Sequence, residues 1–191
     1  MQPHGTKAPR PSPEEQLDAL GIELPASNPP VGNYVRAVQT GALLFVSGHL
    51  PDSDGTARFI GKLGRELTTE DGYQAARIAA INALGTIRTA VGGLGRVRRF
   101  VKLLGMVNSM PDFTEQPQVI NGASDLIEQV FGAEIGYHAR SAVGMAALPR
   151  GNSVEIEMVV EIRVSERDRI VQPPSSGPGR MLVQHRSGRR R

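Results

Sequence analysis

Residues 140–157 read RSAVGMAALPRGNSVEIE, and this segment decides the fold of the chain. It predicts two strands joined by a turn rich in Pro, Gly and Asn, a β-hairpin that continues to residue 162. Successive strand residues point to opposite faces of a sheet. One face of the second strand is therefore acidic and the other apolar: Glu155, Glu157 and Glu161 against Val154, Ile156, Met158, Val160 and Ile162. Arg140 beside such a carboxylate could bind an anionic substrate and activate a water, but a half-buried hairpin with a charged outer face is the simpler interpretation of this segment alone.

The length and composition predict one domain with terminal tails. The chain has 191 residues and no cysteine, which excludes disulfides, a thiolate nucleophile and a cysteine-based zinc site. No apolar run approaches the roughly 18–20 residues of a membrane span, and the N-terminus lacks the apolar core of a secretory signal. We therefore expect a soluble cytoplasmic protein with a flexible leader over residues 1–13, a single domain over 14–165 and a disordered arginine-rich tail over 166–191.

The positive charge is concentrated at the C-terminus. The whole chain has a net charge of +3 and a pI of about 9.7. Residues 163–191 contain eight Arg and two acidic residues, a net of +6, so residues 1–162 carry a net of −3. A basic tail could make weak, salt-sensitive contacts with phosphates. We expect it instead to be a solvated tail, because the body of the protein is acidic.

Apolar spacing and turn residues predict the order β-β-(β)-α-β-α-β-β after a short N-terminal helix. The predicted elements are a helix capped by Ser12 and stopped at Gly21; a hairpin of residues 34–39 and 42–47; a turn at 51–55 and a weak strand at 58–63; a helix capped by Thr68 or Thr69 and ended by Gly92; a strand at 97–107; a helix capped by Asp112 or Thr114 and ended by Gly132; and the hairpin at 140–162.

The histidines do not indicate a metal or a hydrolase triad. No two of the four have metal-ligand spacing. Ser47, His49 and Asp52 could be assembled into a Ser-His-Asp set, but the serine and histidine flank one glycine and no nucleophile-elbow motif is present. We therefore predict no metal site and reject the triad. A basic cluster at Arg96, Arg98 and Arg99 is interpreted as a solvated strand edge.

Six strings in this order resemble the Rid family (YjgF/RidA, historically called L-PSP endoribonucleases), over about residues 31–164. They are VGNYV at 31–35, FVSGHLP at 45–51, DF at 112–113 with VIN at 119–121, ARSAV at 139–143, LP at 148–149 and VEIE at 154–157. The resemblance implies a chorismate-mutase-like α+β fold, with one mixed sheet backed by two helices. It also implies a homotrimer whose sheets form a central barrel, with sites between subunits.

The resemblance further implies cofactor-independent hydrolysis of reactive enamines and imines, such as 2-aminoacrylate, to 2-oxo acids and ammonia. Arg140 matches the arginine that binds the substrate carboxylate, and Glu155 matches the carboxylate that positions the attacking water and carries protons. The remaining substrate contacts implied by the family are Tyr34, Ser47, Gly48, Asn121 and Ala142. A planar guanidinium pairs bidentately with a carboxylate, whereas lysine does not.

Three positions differ from the common family pattern. Ala142 stands where cysteine is common, Asn33 where proline is common and His49 where glutamine is common. These differences indicate a divergent subgroup and leave two alternatives open: a non-catalytic trimer that binds small carboxylates or a partner protein, and an RNA-binding protein or ribonuclease. The acidic body and the small number of aromatic residues disfavour the second alternative.

Overall fold

The computed structural model describes residues 10–27, 30, 32–53 and 56–164. This part of the chain contains three helices and seven strands, joined by turns and loops. In chain order they are α1 (Pro13–Ala19), β1 (Ala37–Thr40), β2 (Leu43–His49), β3 (Asp52–Ser53), β4 (Thr56–Ala57), α2 (Thr69–Val91), β5 (Val97–Asn108), α3 (Gln116–Gly136), β6 (Ala139–Met145) and β7 (Val154–Ile162). The expected leader and tail lie outside the described residues, except for residues 10–13 of the leader.

Five strands form one mixed sheet in the order β1-β2-β7-β5-β6. β7 lies at the centre and runs antiparallel to both β2 and β5. β6 runs parallel to β5 at one edge, so the connection between them has to cross over the sheet, which α3 does. The arrangement confirms the predicted α+β class, with a mixed sheet and helices packed on it.

The hairpin predicted for residues 140–162 is wrong. β6 and β7 do not pair with each other, because β5 lies between them in the sheet. The short connection over residues 146–153, which includes a 3-10 turn at Pro149–Gly151, steps across the end of β5 instead of closing a two-stranded turn. The alternation of faces on β7 is nevertheless as predicted, since Val154, Ile156, Met158, Val160 and Ile162 are all buried.

The prediction of a weak strand at 58–63 is also wrong, because no strand of the sheet lies there. The two-residue strands β3 and β4 lie just before it and pair with each other, where mainly a turn was predicted. Ile60 and Leu63 form isolated bridges to Asn152 and to Leu67 and Ser109. Leu63 is fully buried, so this apolar residue fixes the loop to the core although it is not part of a strand.

The helix boundaries follow from local capping. Ser12 and Thr68 each form a capping box at the start of α1 and α2, and Gly92 ends α2 in the left-handed region with φ 79°. α3 differs from the prediction, because its N-cap residue is Glu115 and neither Asp112 nor Thr114. Gly132 breaks the helical geometry at φ 73°, ψ 167°, yet the chain resumes helical turns to Gly136.

The hydrophobic core lies between one face of the sheet and the pair α2 and α3. Alanines line the buried side of α2 and let the backbones approach closely. At Gly122 on α3, an added Cβ would overlap the carbonyl oxygen of Tyr73 on α2, so only glycine fits this crossing. Phe100 of β5 and Phe131 of α3 pack against each other in this core, with their rings edge to face and 4.9 Å between centroids.

The opposite face of the sheet carries apolar side chains without a covering helix among the described residues. Phe45 is 46% exposed and Val38, its register partner on β1, is 53% exposed. Val143 on β6 is 39% exposed. Adjacent exposed apolar residues of this kind on a sheet face are typical of a protein–protein interface. We call Val38, Phe45 and Val143 with their sheet neighbours the open face.

Candidate active site

The Arg140 guanidinium is held by three oxygen atoms of α3. Nη1 donates to Asn121 Oδ1 at 2.8 Å and to Ser124 Oγ at 3.1 Å, and Nη2 donates to the Pro117 carbonyl at 3.3 Å. These acceptors recur at four- and three-residue intervals, so they lie on one face of the helix. Among the described residues, no atom accepts a hydrogen bond from Nε, which leaves the Nε–Nη2 side of the fork able to bind an external anion.

Arg140 reaches α3 because of its register on β6. It lies opposite Leu103 on β5, and Leu103 is buried on the helix-covered side of the sheet. Ala142, two residues on, points to the same side and packs at the margin of the core. Asn121 and Ala142 are therefore brought together with Arg140, as the family resemblance implies. We call Arg140, Asn121, Ser124 and Ala142 the Arg140 half-site.

Ser124 and the Pro117 carbonyl are parts of this half-site that sequence reasoning missed. The spacing of residues 117, 121 and 124 along α3 was the available signal, since it places all three on the face that Asn121 occupies. What the sequence did not show is that β6 runs beside this face. Parallel pairing of β6 with β5 is what brings Arg140 there.

Glu155 lies beside Gly48. It is opposite Met106 on β5, a position on the open face, and its carboxylate lies over the Gly48 backbone. A Cβ added to Gly48 would overlap Glu155 Oε1 and lie 2.7 Å from Cδ. Gly48 falls within a register irregularity between β2 and β7, where the paired residues step from Val46 to His49. Glycine at this position therefore leaves room for the carboxylate.

The environment of Glu155 raises the pKa of its carboxyl group. The larger cause is partial burial, which disfavours the charged form, and the smaller is the negative charge of Glu157 on the same face of β7. A carboxyl with a raised pKa exchanges protons more readily near neutrality than a solvated one. Glu157 shows no such burial, since it is exposed.

Ser47 immediately precedes Gly48 on β2, and Tyr34 lies in the segment before β1. The Ser47 hydroxyl donates to the Val35 carbonyl at 2.8 Å, which ties the segment before β1 to β2. Tyr34 immediately precedes Val35 and is 43% exposed. We call Glu155, Gly48 and Ser47 the Glu155 half-site; no contact among the described residues joins the Tyr34 side chain to it.

The two half-sites do not meet within one chain. Arg140 is opposite Leu103 and Glu155 is opposite Met106, so the two residues are three positions apart on β5 and on opposite faces of the sheet. That offset corresponds to about 10 Å along the strand and, with β5 between them, about 10 Å across it. A single copy of the chain therefore presents two separate groups: a guanidinium on the helix-covered face and a partly buried carboxyl on the open face.

His49 is a buried structural residue. His49 is only 5% exposed. Its Nδ1 lies 2.7 Å from the Ser47 carbonyl, and because a carbonyl can only accept, Nδ1 is the donor. Nε2 therefore accepts from the Thr86 hydroxyl at 2.8 Å. Burial lowers the pKa of His49 to about 4. The histidine contacts the backbone of Ser47 and not its hydroxyl, which agrees with rejection of the Ser-His-Asp arrangement.

The basic cluster of Arg96, Arg98 and Arg99 lies around the start of β5. Arg98 pairs with Glu161 at 3.3 Å and Arg96 donates to the Val91 and Arg163 carbonyls, while Arg98 and Arg99 remain exposed, as predicted for a solvated strand edge. No group of three or more His, Cys, Asp or Glu side chains within the described ranges could hold a metal ion. Across the same residues, none of the helices has the length and apolar character needed to cross a membrane.

Solved structures with similar folds are known. The crystal structure of Atu1372 from Agrobacterium tumefaciens, a protein of unknown function, is 45% identical and matches 79% of this chain and 92% of its own, with a TM-score of 0.74. A protein from Shewanella oneidensis is 33% identical and matches 80% of this chain and all of its own, with a TM-score of 0.77.

Curated proteins are similar over comparable lengths. Protein TCP17 of Trypanosoma cruzi is 51% identical over 146 residues, 76% of this chain and 91% of its own. The 2-iminobutanoate/2-iminopropanoate deaminase of Dermatophagoides farinae is 28% identical over 141 residues, 74% of this chain and 94% of its own. Residues 14–161 match the family model described as "YjgF/chorismate_mutase-like, putative endoribonuclease". The chain belongs to the YjgF/chorismate-mutase-like family, as the resemblance in its sequence indicated.

Proposed function

We propose that this protein hydrolyses small 2-imino acids, and the enamines in equilibrium with them, to 2-oxo acids and ammonia. The observation that carries the proposal is the arginine fork: three oxygens of α3 hold the Arg140 guanidinium, and no atom of the described residues accepts a hydrogen bond from its Nε. The similarity to the Dermatophagoides farinae deaminase supports the same class of reaction. No cofactor is needed for this chemistry.

Arg140 would bind the substrate carboxylate. A guanidinium whose rotamer is already fixed by Asn121, Ser124 and Pro117 loses little further conformational entropy when a carboxylate pairs with it. The pairing is charge-assisted and bidentate, which fixes the plane of the substrate as well as its position. It would therefore present the C2 carbon of the imine at a defined place beyond the β6 edge.

Glu155 would move the protons. In the protonated iminium, water attacks C2 while the Glu155 carboxylate accepts a proton from that water, giving a neutral carbinolamine amino group. Glu155 then returns the proton to nitrogen, and the C2–N bond breaks with its electron pair leaving on ammonia. The hydroxyl oxygen forms the carbonyl as its proton passes to the Glu155 carboxylate, from which ammonia takes it as ammonium. The raised pKa of the Glu155 carboxyl suits a group that must both accept and donate near neutrality.

The site would be completed by a second copy of the chain. Because the Arg140 and Glu155 half-sites lie on opposite faces of one sheet, each needs its counterpart from elsewhere. The open face, with Phe45 and Val38 exposed, is the surface that a further copy would cover. A homotrimer with the sheets forming a barrel would bring the β6 edge of one copy to the Glu155 half-site of the next.

The test is a coupled assay in which a pyridoxal-phosphate dehydratase generates 2-aminoacrylate or 2-iminobutanoate and ammonia release is followed. We expect wild-type protein to accelerate release, and Arg140→Ala and Glu155→Gln each to lower kcat/KM by at least about 100-fold. Arg58→Ala and Glu134→Gln are the matched controls for loss of an exposed charge and should keep most of the rate. Binding of 2-oxobutanoate without any turnover, or full activity of Arg140→Ala, would contradict the proposal.

A further inference from the structure

His138 contacts the Arg140 half-site through Ser124. It lies between the end of α3 and the start of β6, with ring Nδ1 2.6 Å from the Gly136 carbonyl and Nε2 3.1 Å from Ser124 Oγ. The same Ser124 oxygen accepts from Arg140 Nη1 at 3.1 Å. Arg140, Ser124 and His138 thus form one hydrogen-bonded chain that ends on the backbone of α3.

The direction of each bond follows from the chemistry of the atoms. A carbonyl only accepts, so Nδ1 of His138 carries a proton and donates to Gly136. In the neutral ring Nε2 then has a free lone pair, which accepts the Ser124 hydroxyl proton. With its own proton directed at His138, Ser124 offers its oxygen to Arg140. Neutral His138 therefore orients the hydroxyl in the sense that Arg140 requires.

The surroundings of the ring favour this neutral form. Burial lowers the pKa of His138, and the charge of Arg140 lowers it further, against the opposing effect of the Gly136 hydrogen bond. Among the other charged groups on these elements, Asp125 of α3 accepts from Tyr73 on α2, Glu128 of α3 accepts from Tyr137, and Lys102 of β5 donates to Ser141. Arg140 is the charge that acts on the ring.

We propose that His138 is a positioning residue for substrate carboxylate recognition, which acts through Ser124 to fix the Arg140 guanidinium. This inference rests on the proposed role of Arg140 as the carboxylate anchor. It assigns His138 no contact with the substrate and no part in proton transfer. Its effect should therefore fall on the affinity for carboxylate ligands and leave kcat nearly unchanged.

The test measures the Kd of 2-oxobutanoate, and of its amide 2-oxobutanamide, for wild type and variants. We expect His138→Ala and Ser124→Ala each to raise the Kd of the acid about three- to ten-fold, the effect of losing one hydrogen bond to a charged group, without a matching change for the amide. His138→Gln, whose amide oxygen can accept the Ser124 proton, should recover most of the affinity. Tyr137→Phe removes another bond between the same elements, to Glu128, and should bind like wild type.

A double-mutant cycle separates positioning from general stability. Adding His138→Ala to Ser124→Ala should cause little further loss, because both act through one hydroxyl. If Arg140→Ala loses affinity while His138→Ala binds as wild type, or if the two losses add fully, the inference about His138 is wrong and the proposed function stands. If Arg140→Ala binds 2-oxobutanoate as wild type does, the proposed function fails first. Melting temperatures measured for all variants would show whether any loss of affinity comes from unfolding.

Discussion

Gly48 on β2 leaves open the space that the Glu155 carboxylate occupies. A Cβ there would overlap Oε1 and approach Cδ to 2.7 Å. The atom that would be displaced is the end of a flexible side chain, so the fold can accommodate a methyl group by moving the carboxylate. The orientation of the Glu155 carboxyl, the proposed proton carrier, therefore depends on the absence of a side chain at position 48.

Gly48→Ala should separate activity from stability. We expect kcat in the imine assay to fall by about ten-fold or more, because the Glu155 carboxyl is moved away from the attacking water. The free energy of unfolding should change by less than about 1 kcal/mol, since the displaced group can rotate toward solvent. Gly95→Ala, at a glycine with no atom within 4 Å of the added Cβ, is the control. A Gly48→Ala enzyme with the wild-type rate would show that this contact does not position the acid.

Glu155 should make the protein less stable as pH rises. The pKa of its carboxyl is raised in the folded state, so the folded protein binds the proton more tightly than the unfolded chain. The stability gained from this proton is present below the unfolded pKa and is lost as pH rises through the folded pKa. Glu155→Gln should therefore have a higher melting temperature than wild type at about pH 8 and little advantage near about pH 4.5. An equal difference at both pH values would contradict the assignment.

His49 should have the opposite dependence. Burial lowers the pKa of its ring to about 4 from an ordinary value of 6.5, so the unfolded chain takes up the proton first as pH falls. The stability from the neutral buried ring is present above 6.5 and is lost as pH falls toward the folded pKa, by at most about 3 kcal/mol. In denaturant titrations, His49→Gln should lose less stability than wild type between about pH 6.5 and 4. Parallel curves for the two proteins would disprove the buried neutral state.

Phe45→Glu should prevent assembly. Phe45 is exposed on the open face next to Val38, and a carboxylate there could be buried between copies only at a cost of several kcal/mol. Sedimentation velocity should show a homotrimer for wild type and a folded monomer, inactive in the imine assay, for the variant. Leu20→Glu replaces an equally exposed apolar residue at the end of α1 and should assemble normally. A monomeric, fully active wild type would remove the need for a second copy.

The sequence predicted the local elements better than their pairing. Ser12, and Thr68 or Thr69, marked helix starts, and Gly92 marked a helix end, because these signals lie within one turn of chain; the structure has capping boxes at Ser12 and Thr68. Residues 140–162 were wrongly predicted as a hairpin because strand order is a long-range property. The short turn after Met145 was interpreted as closing a hairpin, and the parallel pairing of β5 with β6 across α3 was not predicted. Insertion of β5 between β6 and β7 decided against the hairpin.

The candidate site was predicted as a set of residues and not as an arrangement. Gly48 with Glu155, and Asn121 and Ala142 with Arg140, are neighbours in the structure. Ser124 and His138 were missed, because the hydrogen-bonded chain behind Arg140 depends on where α3 lies over β6. The separation of the two half-sites follows from register on β5, which no local pattern in the sequence specifies.

Subunit complementation is the most direct test of a site shared between copies. Arg140→Ala and Glu155→Gln chains, each inactive alone, would be given different affinity tags, refolded together in equal amounts and assayed, with co-purification verifying mixed assemblies. If each site takes Arg140 from one copy and Glu155 from the next, about one quarter of the sites in a random cyclic mixture are intact and about one quarter of the wild-type rate returns. Verified mixed assemblies as inactive as either parent would contradict the account.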